Sequence, residues 1–233
     1  MMRTALLCST ALIFCAAGSA LAAERARPAT HFSGTVHRVI AAVPGAVTLY
    51  DQNNDDNDVA IISTNFDDFD SFDSYAADDF TVPHGHTWKI KQVEVTGNYS
   101  ADSGDEGPAH SESVFFYRDA SGLPGELAAR CENLLGRDNQ GSFAIKIPTA
   151  CKISLKGGRR YWLSVVATMS ISCCGQWNWM TRHSKIGKPA AWENPEGGFQ
   201  TGCFAWDVMT SCIGGFGEGP DFMFALKGKD VVR

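Results

Sequence analysis

Short stretches of alternating apolar and polar residues recur along most of the chain. In residues 143–147, a phenylalanine and two isoleucines alternate with alanine and lysine. Alternation places every second side chain on the same face of a strand, so this stretch predicts a strand with one face in water. Residues 161–166 are apolar at most positions and predict a central strand that is buried on both faces. Over residues 221–227, two phenylalanines and a leucine alternate again.

Glycine and proline bound most of the other candidate strands, as expected for chain reversals. The pattern predicts strands over residues 47–50, 77–82, 88–99, 114–117 and 176–181. Little of the chain has a helical period, and many short strands of this kind are typical of an all-β fold.

The longest predicted strand changes face midway. Trp88 and Ile90 share one face, whereas Val93 and Val95 share the other. One extra residue in a strand has this effect, so we expect a β-bulge near residues 91–92.

We expect a two-sheet antiparallel β-sandwich, jelly-roll-like, formed as a single domain by residues 45–228. Sandwiches of roughly 200–250 residues commonly form one unit. Residues 23–44 are expected to be an extended leader or an edge strand, and residues 229–233 a tail. Residues 123–135 are the one stretch that could hold a short helical turn.

Residues 1–22 predict an export signal peptide. They combine Arg3, an apolar run over residues 5–17 and the cleavage pattern Ala20-Leu21-Ala22. The apolar run is too short for a membrane span, and no later stretch approaches the roughly 20 apolar residues that a spanning helix needs. We therefore expect a secreted or periplasmic protein without a transmembrane segment.

Acidic residues dominate the charge and are concentrated in one region. The formal net charge is −6, which disfavours nucleic acid and anionic membranes as partners because both attract basic patches. Ten of the 26 acidic residues fall between Asp51 and Asp79, and no lysine or arginine occurs between Val39 and Trp88. Such a block is either solvated or neutralised by something bound.

Six cysteines remain once the signal peptide is removed, and an even number in an exported chain indicates disulfides. Local closure favours Cys203 with Cys212 and Cys131 with Cys151. On the loop-entropy model, a bridge that closes ~10 to 20 residues contributes about 3 kcal/mol.

The two remaining cysteines, Cys173 and Cys174, are adjacent. They could form a vicinal bridge, pair elsewhere or stay reduced. A zinc site is disfavoured, because no C-x-x-C pair exists and His183 is the only histidine near the cysteines in sequence.

The acidic loop suggests calcium, which prefers six to eight hard oxygen ligands. Asp51, Asn53, Asp55, Asp56 and Asp58 could supply several of them. The EF-hand pattern fails, since Asp56 stands where that loop needs glycine. The alternatives are a structural calcium site and a solvated acidic loop.

Asp78 and Asp79 lie next to each other in a predicted strand, so one of them must face inward. A buried carboxylate costs several kcal/mol unless it is hydrogen-bonded or paired. A structural hydrogen-bonding role is therefore favoured over a metal or ligand role.

Four of the six tryptophans suggest a sugar site: Trp177, Trp179, Trp192 and Trp206 fall within thirty residues of loop-rich chain. Flat aromatic faces bury the apolar side of a sugar ring, and neighbouring polar groups can bind its hydroxyls. The alternative is that these tryptophans fill the core.

Several short motifs occur together in a characteristic order. They are Leu49-Tyr50-Asp51-Gln52, Ala77 to Pro83 (ADDFTVP), Tyr161-Trp162-Leu163-Ser164-Val165, Gly175 to Trp179 (GQWNW) and Ala191-Trp192-Glu193-Asn194-Pro195. In this order the chain resembles an uncharacterised family of secreted bacterial β-sandwich domains over residues 47–228. The resemblance implies a fold and a location, and no activity. It also implies the Cys203–Cys212 bridge, whereas Cys173 and Cys174 depart from the pattern.

Catalysis has little support from the sequence. No G-x-S-x-G nucleophile motif occurs, and the acids are clustered, whereas a glycosidase needs two that flank a bond across a cleft. Our leading hypothesis is an exported, non-catalytic binding module whose ligand is a carbohydrate or another cell-surface polymer. The alternatives are a structural or adhesive surface protein and, third, a glycoside-acting enzyme.

Overall fold

A computed structural model of the chain describes residues 26–32, 34–35, 37, 42–100 and 107–232. The predicted signal peptide and much of the predicted leader lie outside these residues. The described residues fold into strands arranged in three sheets, with only short helical turns between them. None of those helices has the length and apolar character needed to cross a membrane.

Sheet A has β3 and β14 at its centre, with β1 on one edge. Its strands are β1 (Ala29–His31), β3 (Asp56–Ile62), β7 (Gly97–Ser100), β14 (Gln176–Arg182) and β17 (Asp221–Phe222). Sheet B is centred on β6 and β18. Its strands are β2 (Val47–Asp51), β6 (His86–Val95), β10 (Arg137–Asn139), β11 (Ser142–Lys146), β12 (Ser154–Lys156) and β18 (Phe224–Val232).

Sheet C is the largest sheet and has the order β16-β15-β5-β13-β8-β9, with β4 added beside β13. Its strands are β4 (Thr64–Phe66), β5 (Tyr75–Val82), β8 (Ser111–Ala120), β9 (Leu123–Leu134), β13 (Arg159–Met169), β15 (Ala191–Glu193) and β16 (Asp207–Val208). The pairing is antiparallel apart from β4 with β13. Helical turns occupy Asp70–Phe72, Thr149–Cys151, Ile171–Cys174 and Met209–Ile213.

Sheets A and B join at a corner, where β6 leads into β7 and β17 into β18. There the Thr96 N–H donates to the Met223 carbonyl (3.3 Å), and the Met180 N–H donates to the Thr96 carbonyl (3.0 Å). The two sheets therefore form one bent layer, which packs against sheet C around a shared hydrophobic core. The predicted all-β antiparallel sandwich is confirmed.

Phe80 of β5 lies at the centre of this core and is only 2% exposed. It faces inward because it alternates with Asp79 and Thr81 along the strand. Its ring centroid is 5.9–6.3 Å from those of five other rings, Tyr50, Trp88, Phe116, Tyr161 and Phe224. These rings belong to sheets B and C, so Phe80 connects the two layers.

The predicted β-bulge is present in β6. Lys227 of β18 pairs with Gln92, and the next residue, Gly228, pairs with Ile90, which leaves Lys91 as the extra residue. The extra residue shifts the alternation by one position, so that Trp88, Ile90, Val93 and Val95 all reach the core.

Several segments differ from expectation. The predicted strand over residues 88–99 is divided into β6 and β7, which lie in different sheets. Residues 229–232, expected to be a tail, continue β18 and pair with β6 as far as His86. Residues 123–134, where a helical turn was considered, form β9 because they pair with β8 along its length. Within the predicted leader, β1 pairs with β3 and lies on the edge of sheet A, as the edge-strand alternative expected.

The described residues contain three disulfides. Cys131 joins Cys151 and Cys203 joins Cys212, which are the pairings favoured by local closure. Cys173 and Cys174 form a vicinal bridge, one of the alternatives that the sequence left open.

We expect Phe80→Ala to lower the free energy of unfolding by about 3–5 kcal/mol, because it removes a ring that contacts five others and leaves a cavity. Denaturant unfolding followed by circular dichroism measures this loss. Phe204→Ala is the control, since Phe204 is 62% exposed and its removal should change stability by less than about 0.5 kcal/mol. Equal losses in the two variants would contradict the central position of Phe80.

Candidate functional site

Three of the four tryptophans proposed to bind ligand lie in the core. Trp177, Trp179 and Trp192 have no exposed surface. Their indole N–H groups donate to backbone carbonyls, that of Trp177 to Gly141 (2.6 Å) and that of Trp179 to Met223 (2.8 Å). Trp192 donates in the same way to Ile62 (3.0 Å). These rings have no free face for a sugar, so the prediction of ligand binding at these three residues is wrong and the core-filling alternative describes them.

The acidic loop does not gather calcium ligands. Asp51 lies in β2, while Asp56 and Asp58 lie in β3, so the strands separate them. Asn53 accepts a hydrogen bond from the Thr96 hydroxyl, and Asp55 accepts one from the Ser184 N–H (2.9 Å). Among the described residues, no three of the loop's carboxylates meet at a possible metal position. The predicted set Asp51, Asn53, Asp55, Asp56 and Asp58 is therefore not brought together.

A buried arginine, which the sequence analysis missed, lies against this loop. Arg182 of β14 is 4% exposed. Its Nε and Nη2 donate to the carbonyl and side-chain oxygens of Asn54 (3.3 and 2.9 Å), and its Nη1 donates to the Ser184 carbonyl (2.9 Å). The positive charge that compensates this loop therefore comes from a strand more than 120 residues later in the chain.

Asp78 faces the core and is fully buried. Its Oδ2 accepts hydrogen bonds from the Gln52 side chain and from the Phe222 N–H, both at 2.7 Å. Gln52 is held in turn by the Tyr50 hydroxyl, which donates to Gln52 Oε1 (2.5 Å). The carboxylate thus has the structural role that the sequence favoured. Burial, followed by the charge of Asp221, raises the pKa of Asp78 well above its usual range.

Asp79 points to the opposite face of sheet C and is buried as well. Its Oδ1 accepts from the Lys188 N–H (2.6 Å), and its Oδ2 lies 2.7 Å from Arg160 Nε in an ion pair. The segment that covers it needs Gly187, whose φ is +89° and whose hypothetical Cβ would be 2.6 Å from both carboxylate oxygens. Asp79 is therefore a structural anchor for the loop after β14.

Asp221 is the third buried carboxylate in this region. Its Oδ2 accepts from the Ile186 N–H, whereas its Oδ1 has no hydrogen-bond partner among the described residues. Burial raises the pKa of Asp221 to about 7. Asp78 and Asp221 have no exposed surface, so this acidic group does not form a binding site.

The outer face of sheet C carries the remaining predicted tryptophan. Trp206 is partly exposed and packs against Tyr117 of β8, with ring centroids 5.7 Å apart. Tyr117 lies 6.3 Å from Phe115, two residues earlier on the same strand face. Tyr75 of β5 is also partly exposed on this side. We call Tyr75, Phe115, Tyr117 and Trp206 the aromatic strip.

A shallow cleft of about 200 Å³ lies beside the aromatic strip. It is lined by Tyr75, Phe115 and Val166 and by five polar residues, Asn65, Ser113, Glu132, Asn133 and Thr168. The side chains of Ser113, Asn133 and Thr168 have no hydrogen-bond partner within the part of the chain that the structure describes. Their donors and acceptors are therefore available to a ligand.

Glu193 adds a carboxyl group to the same face. It ends β15, where it pairs with Tyr75 of β5. Burial raises the pKa of Glu193 to about 7, although the backbone of Trp206 opposes this shift through a hydrogen bond. The group can therefore be neutral or charged near neutral pH.

Two larger clefts have a different chemistry. One, of about 520 Å³, is lined by Phe32, Tyr99 and Asn98. There the Tyr99 hydroxyl already donates to Asp138 (2.8 Å), and Asn98 already accepts from Asn178 (3.2 Å). The other cleft has a volume of about 530 Å³. Among the described residues its lining includes four lysines, Lys89, Lys91, Lys152 and Lys229, and no acidic residue. This lysine cleft suits an anion.

We expect the free energy of unfolding to fall as the pH rises from about 4 to 7. Asp221 has a higher pKa in the folded state than the usual 3.8, so its stabilising contribution is complete below about pH 4 and is lost as the pH approaches 7. The slope from one such group is at most about 1.4 kcal/mol per pH unit. Asp221→Asn should reduce this slope, measured by urea unfolding at several pH values.

The matched control is Asp207→Asn, which changes an exposed aspartate. It should keep the wild-type slope. A wild-type slope in Asp221→Asn would show that Asp221 is not the group that titrates.

We expect Trp206 to be the only tryptophan that iodide can quench, because the other five are at most 4% exposed. Trp206→Phe should therefore remove the quenchable part of the fluorescence, as measured by Stern–Volmer titration. Quenching that persists in this variant would mean that one of the core tryptophans is accessible in solution.

Comparisons with known proteins add no family or relative. No protein-family model matches the chain, and neither a curated protein nor a solved structure matches it. A function therefore has to be inferred from the geometry of the chain's own surfaces.

Proposed function

We propose that this chain is an exported, non-catalytic binding module, and that its ligand is a carbohydrate polymer that lies across the outer face of sheet C. The observation that carries the proposal is the aromatic strip. Its four rings are partly exposed, and Tyr117 contacts both Phe115 and Trp206. Such rings, supported by a sheet, can bury the apolar faces of successive sugar rings.

The shape of the cleft supports a polymer over a small enclosed ligand. Its volume of about 200 Å³ is below the roughly 300–1,000 Å³ of typical small-molecule pockets. A polysaccharide that lies across this face of sheet C does not need an enclosed pocket. It needs flat rings and nearby polar groups. Ser113, Asn133 and Thr168 supply hydroxyl and amide groups that have no side-chain hydrogen bond to any described residue.

Rigidity of the site also supports binding. Phe115 and Tyr117 lie on β8, which is paired on both sides, with β13 and with β9. Trp206 packs on the small outer cluster formed by Ala77, Trp162 and Ala191. Rings held in place before binding lose little conformational freedom when a ligand arrives.

Export is supported by the three disulfides, because such bonds persist in oxidising compartments. The predicted signal peptide agrees with this, and the compartment is proposed to be the periplasm or the exterior.

The second candidate is a structural or adhesive surface protein. The burial of Trp177, Trp179 and Trp192 favours it, because these residues then serve the fold alone. The two candidates differ in whether the aromatic strip has a soluble ligand.

A glycan array followed by titration calorimetry tests the proposal. We expect the wild-type protein to bind one or more neutral polysaccharides, and Tyr117→Ala and Trp206→Ala to weaken that binding about tenfold each, which corresponds to about 1.4 kcal/mol. Phe216→Ala is the control, since Phe216 is 40% exposed and lies outside the aromatic strip. Its affinity should equal that of the wild type.

Three outcomes would contradict the proposal. The absence of any glycan binding would favour the structural alternative. Preference for acidic glycans that is lost on Lys89→Ala and Lys229→Ala would place the ligand in the lysine cleft instead. New reducing ends released from a bound polysaccharide would show that the module is catalytic.

A further inference from the structure

A histidine and the vicinal disulfide meet at one end of sheet C. The bridge between Cys173 and Cys174 lies in the helical turn that follows β13. His110 directly precedes β8, the neighbour of β13. The backbone N–H of His110 donates to the backbone carbonyl of Thr168 (2.8 Å). The antiparallel pairing of the two strands thus places the end of one beside the start of the other.

These three side chains form the one group of metal-ligating residues in the described part of the chain. A ring nitrogen of His110 and the Sγ atoms of Cys173 and Cys174 all lie within 4.8 Å of one another. Zinc–sulfur bonds are about 2.3 Å and zinc–nitrogen bonds about 2.0–2.1 Å, so a single ion can reach donors at this spacing.

We propose that reduction of the Cys173–Cys174 disulfide creates a binding site for a thiophilic metal ion, with both cysteine sulfurs and His110 as ligands. While the disulfide is intact, neither sulfur is a thiolate and the site is closed to metal. The redox state of the bridge therefore decides whether the site exists.

The chemistry needs a dithiol as reductant. A thiolate of the dithiol attacks one cysteine sulfur, the Cys173–Cys174 bond breaks, and the second thiol of the reductant resolves the mixed disulfide. The dithiol is oxidised to its own disulfide, and two electrons and two protons reach the cysteines. Metal binding then releases the two thiol protons, because thiolates are the ligands.

Solvent exposure favours reduction of the Cys173–Cys174 disulfide over reduction of the Cys131–Cys151 and Cys203–Cys212 disulfides. Cys173 is exposed and Cys174 is partly exposed. Each of the other disulfides contains a buried cysteine, since Cys131 is 3% and Cys212 8% exposed. A mild dithiol should therefore reach the vicinal bridge first.

Asp67 orients the imidazole ring of His110 for metal binding. Its Oδ2 lies 2.7 Å from His110 Nδ1. A proton on Nδ1 that is shared with the carboxylate leaves the lone pair of the neutral ring on Nε2. A carboxylate behind a metal-binding histidine has the same orienting effect in known metal sites.

Asp68 fixes the cysteine-bearing turn. Its carboxylate accepts hydrogen bonds from the Ile171 and Ser172 N–H groups (2.9 and 3.1 Å) and from the Ser170 hydroxyl (2.7 Å). These contacts do not involve the sulfurs, so they can persist after reduction. The ligands are therefore held near one another by Asp67 and Asp68, which are adjacent in sequence.

The donor set favours soft ions. Two thiolates and one imidazole suit copper(I) and zinc(II), whereas calcium and magnesium require oxygen ligands. Copper(I) and zinc(II) share this donor chemistry, so both serve as separate probes.

The experiment uses the full chain after treatment with a limiting dithiol. Mass spectrometry of alkylated peptides first establishes that Cys173 and Cys174 are free while Cys131–Cys151 and Cys203–Cys212 remain bridged. Copper(I) and zinc(II) are then titrated separately against chromophoric chelators. We expect one ion per chain for at least one metal, with thiolate-to-metal charge-transfer absorption, and at least a hundredfold weaker binding by the oxidised chain.

Variants identify the ligands. His110→Ala and Cys174→Ser should each weaken binding at least tenfold, and the positioning variant Asp67→Asn should weaken it about tenfold or more. His84→Ala is the matched control, because His84 is an exposed histidine in a turn away from the site, and it should bind as the wild type does. Equal affinity of the oxidised and reduced chains, no binding by the reduced chain, or unchanged affinity in His110→Ala would overturn the proposal.

Discussion

The carboxylate of Asp78 is the constraint on which the sandwich depends, because it joins all three sheets. Asp78 belongs to sheet C, Phe222 to sheet A, and Gln52 directly follows the last residue of β2 in sheet B. The Gln52 amide donates both to Asp78 and to the Phe222 carbonyl, at 2.7 Å each. A buried carboxylate that lost these partners would cost several kcal/mol, so these hydrogen bonds favour the register in which the three segments pack.

Strand β5, which carries Asp78, also explains why one end of the outer face of sheet C is covered and the other is open. Asp79 points outward and binds the Lys188 N–H, so the loop after β14 covers this end of β5. At the other end of β5, Tyr75 is partly exposed as a member of the aromatic strip, and none of the described loops is anchored over it by a buried acid. The position of the proposed binding face therefore follows from where the buried acids anchor the loop.

Local alternation was sufficient to predict most strands and the bulge at Lys91, because period and face are properties of neighbouring residues. It failed for β9, since the pairing with β8 that forms this strand cannot be inferred from residues 123–134 alone. The tryptophans show the same limit. A cluster in a glycine-rich region looks the same in sequence whether the rings line a surface or fill a core, and only the fold separates Trp206 from Trp177.

The acidic stretch was even less predictable, because its partners are distant in sequence. Arg182 compensates the loop near Asn54, Asp68 holds the turn before Cys173, and Asp79 holds the loop at Lys188. Each partner lies more than 100 residues away, so no local pattern could have shown that Asn54, Asp68 and Asp79 are already hydrogen-bonded. A concentration of aspartates without neighbouring bases therefore need not indicate a cation site. In this chain it marks the places where later loops attach to the sandwich. The proposed metal site uses two aspartates as supports, Asp67 to orient His110 and Asp68 to hold the turn that carries Cys173 and Cys174.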